Sequence, residues 1–175
     1  MRNTLQNCLI AAGVLLFGIA AWAGPSECDA VEGNLISNCG WETNCWAGWH
    51  PSAAIVDIGR DEFAHSGDYR GIIHAHPGLE YVGQQELPVV EGQAYTLSFW
   101  IRNLQPMERL QVLWTRWDGI DEMVFDLQDI PAQDYTQYVI PDLIASSDSA
   151  QVWLMFGNAL GDVDIDDVVL VPSQQ

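Results

Sequence analysis

The sequence predicts an all-β domain, a sandwich or a barrel. Three observations carry that expectation. Short apolar runs alternate with polar residues at period two, turn residues separate the runs, and no helical period is sustained over three turns. The runs lie at 53–58, 69–75, 83–89, 94–103, 110–117, 123–127, 136–140, 151–157 and 163–171. Residues 34–37 read as a short first strand ahead of them. Turns fall at His65-Ser66-Gly67-Asp68, His76-Pro77-Gly78, Glu91-Gly92, Asp118-Gly119 and 158–161, where glycine supplies the positive φ that tight turns require. Strands at this spacing without helices between them make a sandwich or barrel rather than an α/β fold.

Ahead of the domain, residues 1–23 read as a secretory signal peptide. Arg2 supplies the charge, 9–19 the apolar stretch, and Ala21-Trp22-Ala23 an A-x-A cleavage site. That stretch is shorter than the roughly 18 apolar residues a membrane span needs, and no later run approaches it. Residues 24–33 are small and polar and read as a leader without structure. The domain proper is expected over 34–172, and the protein in a secreted or periplasmic location.

Charge narrows the partners. The chain has 24 acidic residues against 6 basic ones, all Arg, and a net charge of −18. Without Arg2 the balance is 5 against 24, or −19. A chain so poor in cations cannot neutralise a phosphate backbone, which argues against nucleic acid and anionic lipid as partners. Most of these acids read as a solvated surface, and a few as cation ligands. Cys28, Cys39 and Cys45 remain beyond the signal, in an oxidising compartment. Cys39 and Cys45 flank a short loop and form the expected disulfide, worth roughly 2 kcal/mol by loop entropy. Pairing of Cys28 with either is the alternative.

The strand 94–103 sorts its side chains most cleanly. Tyr95, Leu97, Phe99 and Ile101 fall on one face and are expected in the core. Thr96, Ser98, Trp100 and Arg102 fall on the other. In 151–157, Val152, Leu154 and Phe156 make the core set, opposite Gln151, Trp153 and Met155.

The segment Asn34 to Trp49, with its Gly40-Trp41-Glu42 triplet and Gly48-Trp49, resembles the opening of secreted β-jelly-roll carbohydrate-binding modules attached to cellulases and xylanases. Ile165-Asp166-Asp167-Val168-Val169-Leu170 resembles their last strand, and 64–72 their turn into the next strand. The likeness covers nearly all of 34–171. It implies a two-sheet antiparallel jelly roll, non-catalytic binding of a polysaccharide or oligosaccharide, and a structural calcium. The family's calcium carboxylates correspond to Glu42 and Asp166, and the loop completing the site to backbone around Ser66 and Asp68. Calcium takes six to eight oxygens, so two or three side chains with carbonyls and water make a shell.

Sugar sites pair flat aromatic faces with amides, Arg or carboxylates. Trp100, Trp114, Trp117 and Trp153 are the platform candidates, with Arg102, Arg116, Gln111 and Gln151 as polar partners. Trp100 beside Arg102 leads, and Trp100→Ala is expected to abolish polysaccharide retention without loss of stability. No nucleophile elbow or Ser-His-Asp order is recognisable, so the chain is expected not to be an enzyme. His65, His74 and His76 form a conceivable metal triplet, but His-x-His beside a proline turn reads more simply as an exposed hairpin end. The rival reading is an envelope or extracellular structural protein that uses the same fold for protein contacts. A small hydrolase ranks last.

Overall fold

The computed structural model describes residues 24–52, 56–60, 62–74, 76–103, 107–116, 122–127, 134–159 and 161–174. Among them the ordered elements are a 3-10 turn at Glu27–Ala30 and ten strands: β1 (His50–Pro51), β2 (Val56–Arg60), β3 (Tyr69–Ile73), β4 (His76–Pro88), β5 (Ala94–Asn103), β6 (Met107–Arg116), β7 (Glu122–Leu127), β8 (Thr136–Ile144), β9 (Ser149–Ala159) and β10 (Val163–Pro172). No described helix is long and apolar enough to cross a membrane. The strands form two five-stranded antiparallel sheets, ordered β1-β4-β9-β6-β7 and β2-β3-β10-β5-β8. Successive strands cross repeatedly between the sheets, which gives the expected jelly-roll sandwich.

The core lies where the period-two pattern placed it. Tyr95, Leu97, Phe99 and Ile101 of β5 are buried against Val152, Leu154 and Phe156 of β9, with Leu110, Val112 and Trp114 from β6. Strand β10 runs between β3 and β5 and buries Val163, Ile165, Val168 and Leu170. The register against β5 slips between Asp166 and Val169, and Asp167 sits at φ 45°. This bulge changes the direction of one carboxylate. In an unbroken strand Asp167 would point opposite to Asp166, into the core; here both reach the same loop.

The edge strand β8 contains Pro141 followed by Asp142 at φ 59°. A missing N–H and a left-handed residue are tolerated there because no further strand follows on that side.

Three expectations are corrected at the amino end. The disulfide is Cys28–Cys39, not Cys39–Cys45, and no described cysteine is free. Residues 27–30 are not a structureless leader: Cys28 is buried, and its N–H donates to Asp167 Oδ1 at 3.1 Å. Residues 34–37 form no ladder strand. Asn34 instead clips the chain to β10, with Oδ1 accepting from Leu170 N at 2.9 Å and Nδ2 donating to Val168 O at 3.3 Å.

Candidate functional site

Three regions hold the polar and aromatic residues singled out above. The first lies where the 3-10 turn, the 62–68 loop and β10 meet. Trp41 anchors it: wholly buried, the indole stacks on Trp49 at 4.7 Å and lies against Gly71, where a Cβ would come within 2.8 Å of Cζ2. With Trp41 fixed, Glu42 reaches the loop and accepts N–H bonds from Asp68 at 3.0 Å and Tyr69 at 3.1 Å. Gly67 allows this approach, since its φ is 65° and a Cβ would lie 2.1 Å from Glu42 Oε1. From the other side Asp166, wholly buried, accepts from His65 N at 2.8 Å, Ser66 N at 3.4 Å and Asp167 N at 2.8 Å. Asp167 Oδ2 takes bonds from His65 Nδ1 at 2.7 Å and Ser66 Oγ at 2.6 Å.

Glu42, Ser66, Asp68 and Asp166 therefore converge on one loop although 124 positions separate the two carboxylates. Burial and then the adjacent Asp167 push the Asp166 carboxyl up to about 8, against the pull of its backbone donors. Burial also raises Glu42, reinforced by Asp68 and Asp29 and opposed by the N–H groups of Tyr69 and Asp68. Asp68 turns its own carboxylate outward to Arg60 at 3.6 Å, so only its backbone faces the loop interior. A buried and a half-buried carboxylate collected at one loop, still short of their full lone-pair capacity, suit a hard divalent cation.

The second region is the outer face of the β5 sheet, where Trp100 and Arg102 were expected to form a sugar platform. Both are already engaged. The His65 ring stacks on Trp100 at 3.9 Å and 18°. Arg102 pairs with Asp164, which also takes Arg70 Nε at 2.8 Å. The Arg102 guanidinium lies over Phe63 at 4.8 Å and Tyr135 at 5.3 Å. Tyr135 donates to Phe63 O at 2.9 Å, and burial together with Asp164 and Asp166 raises its phenol further. This cluster holds the 62–68 loop onto the sheet.

The third region is the outer face of the other sheet. There Trp153 of β9 lies over Gly83 of β4, its cross-strand partner, where a Cβ would come within 2.4 Å of Cε3. Its Nε1 donates to Gln151 Oε1 at 3.0 Å. Tyr81, 40% exposed, stands against it at 5.4 Å and 87°, and His50 flanks it at 6.4 Å. Gln111 and Thr115 of β6 share this face with Gln151, all three largely shielded from solvent. The arrangement is an aromatic strip with a floor and an upright wall, beside a band of amide and hydroxyl groups.

Among the remaining platform candidates, Trp114 is corrected. It is 3% exposed in the core, with Nε1 donating to Ile144 O at 3.1 Å. Trp117 lies outside the described residues. Of the histidines with described side chains, His65 serves Asp167 and His74 Nδ1 faces Asp162 at 3.3 Å. Tyr81 and His50 carry no clear sequence signal, because the legible run begins at 83 and a two-residue strand leaves no period. Opposing Gly83 to Trp153 was the available clue, but it requires the pairing register.

The sequence matches no family and no curated protein. Solved structures do match. A family 61 carbohydrate-binding module, solved with β-1,4-galactotriose, superposes with a TM-score of 0.65 at 18% identity, over 80% of this chain and 99% of that one. The fold is that of carbohydrate-binding modules. The family 22 xylan-binding domain of Paenibacillus barcinonensis Xyn10C follows at TM-score 0.57 and 14% identity, over 73% of this chain and 87% of that one. The enzymatically active part of a bacteriophage CBA120 tailspike protein also matches, with TM-score 0.62 and 16% identity, over 80% of this chain but 21% of that one.

Proposed function

We propose that this protein binds carbohydrate without cleaving it, outside the cytoplasm, through the outer face that carries Trp153 and Tyr81. The observation that carries the reading is the indole lying over Gly83 with a tyrosine perpendicular to it. A pyranose presents an apolar C–H face and a rim of hydroxyls. The indole plane takes the first, and Gln151 positions that plane by accepting from Trp153 Nε1 at 3.0 Å. The rival reading, an interaction protein on the same fold, would bury its aromatics; on this face Tyr81 and His50 are exposed and Trp153 is half-buried. Galactotriose in one structural neighbour and xylan in the name of another support the same class of ligand.

The second part of the proposal is a structural calcium held by Glu42 and Asp166, with backbone oxygens around Ser66 and Asp68. Calcium there would neutralise carboxylates that burial otherwise penalises. Export is the third part, supported by the Cys28–Cys39 disulfide, a bond that persists in oxidising compartments.

Affinity electrophoresis of Trp153→Ala and Tyr81→Ala in gels containing galactan, xylan or β-glucan tests the binding face. Retention of the parent protein by at least one polysaccharide, lost in both variants with melting temperatures close to the parent's, is the expected outcome. Undiminished retention in both variants refutes the assignment of this face.

A further inference from the structure

A second group of ligands lies beside the Glu42 and Asp166 pair, and its chemistry differs. One donor atom each from Glu27, His65 and Asp167 lie within 4.8 Å of one another. They come from three separate parts of the chain: the 3-10 turn, the 62–68 loop and the bulge of β10. We propose that this trio is a binding site for a borderline divalent ion such as zinc, distinct from the calcium position.

Three features support it. An imidazole nitrogen with two carboxylates suits zinc or its neighbours in the first transition row, whereas calcium takes oxygen alone. The two inner ligands are already oriented. Stacking on Trp100 at 3.9 Å sets the His65 ring plane, and the Cys28 N–H holds Asp167 Oδ1 at 3.1 Å, leaving Oδ2 turned to the imidazole. Such outer partners fix ligand direction in metal sites. Ser66 joins the remaining pieces, since its Oγ donates to Asp167 Oδ2 at 2.6 Å and accepts from Glu27 N at 2.8 Å.

An ion about 2.0 to 2.2 Å from each ligand sets tetrahedral ligand atoms roughly 3.4 Å apart, so the 2.7 Å His65–Asp167 contact opens slightly while the third ligand adjusts to the ion. That adjustment falls to Glu27, whose side chain is exposed. On binding, His65 Nδ1 exchanges its hydrogen bond with Asp167 for the metal, and water completes the tetrahedron. The nearby trio of Cys28, Asp29 and Cys39 cannot serve, because the two sulfurs are bonded to each other. The ion would tie the amino-terminal turn to the last strand and would bind only the folded chain.

The test is zinc titration of the purified, tag-free, EDTA-treated protein, followed by calorimetry and melting temperature, with cobalt absorption reporting nitrogen ligation. Parallel melts in calcium alone monitor the other site. Zinc is expected to raise the melting temperature. Glu27→Gln, at an exposed position, is expected to weaken zinc binding by about tenfold or more and leave the calcium response intact. His65→Gln is expected to remove the cobalt band, and His74→Gln to change nothing. Absence of zinc binding to the parent, or equal zinc affinity in the parent, Glu27→Gln and His65→Gln, overturns the proposal. Loss of the calcium response alone would refute only the calcium reading.

Discussion

Asp166 makes the stability of the metal-free protein depend on pH in an unusual direction. Its carboxyl rises from an ordinary value of 3.8 to about 8 in the folded chain. Across that window the native state holds a proton that the unfolded chain releases, so the slope of unfolding free energy against pH is negative. The contribution is fully present below about pH 4 and is gone above about pH 8. The ceiling is about 1.4 kcal/mol per pH unit. Between pH 5.5 and 7.5 the full slope gives about 2.7 kcal/mol, and relaxation around a buried charge brings the expectation to about 1 to 3 kcal/mol. Carboxylates of ordinary pKa are ionised by pH 5.5 and add little slope above it. Urea unfolding in EDTA at the two pH values, with equal m-values, measures the difference, and Asp166→Asn should remove most of it. Stability that is level or rising over this interval, or an unchanged slope in Asp166→Asn, refutes the reasoning. Because calcium would favour the ionised form, its stabilising effect should grow as pH rises.

Removing the Cys28–Cys39 bond by a double serine substitution releases a loop with a sequence separation of 11 and should cost about 2.8 kcal/mol in denaturant unfolding. Trp100→Ala should lower the melting temperature through loss of the His65 stack while polysaccharide retention survives; lost retention in a stable variant would return the sugar site to that face. Gly67→Ala combines a φ of 65° with a Cβ 2.1 Å from Glu42 Oε1, so about 1 to 3 kcal/mol of destabilisation and a weakened calcium response are expected in thermal melts.

The sandwich was legible because period-two alternation is a local property, and β5 displays it without interruption. The convergence of Glu42 and Asp166 on the loop at Ser66 and Asp68 was legible only through resemblance, since nothing local links positions so far apart. Three features escaped the sequence. The choice of Cys28 over Cys45 depends on how the first turn folds back on β10, which spacing does not encode. The outward turn of Asp167 depends on a bulge, and one inserted residue reverses every parity argument beyond it. Trp100 and Trp153 both alternate outward and both are half-buried, and alternation alone could not show that one stacks on His65 of a covering loop while the other lies over Gly83.

The clip of Asn34 onto Val168 and Leu170 also bears on how the chain reaches its fold. Leu35 N–H bonds to Leu170 O at 2.9 Å, so this segment completes its contacts only when the last strand has been made. β10 in turn needs β3 and β5 on either side. Contacts of such sequence separation form late and place the domain among slow, high-contact-order folders. While the chain is incomplete, the central groove of the second sheet stays open and its apolar edges unpaired, which makes the nascent form the aggregation-prone one. The same closure leaves the two ends of the domain side by side. A linker joining them, with new termini cut at the Glu91-Gly92 turn, would retain every strand pairing and shorten the one connection that folding must otherwise span last.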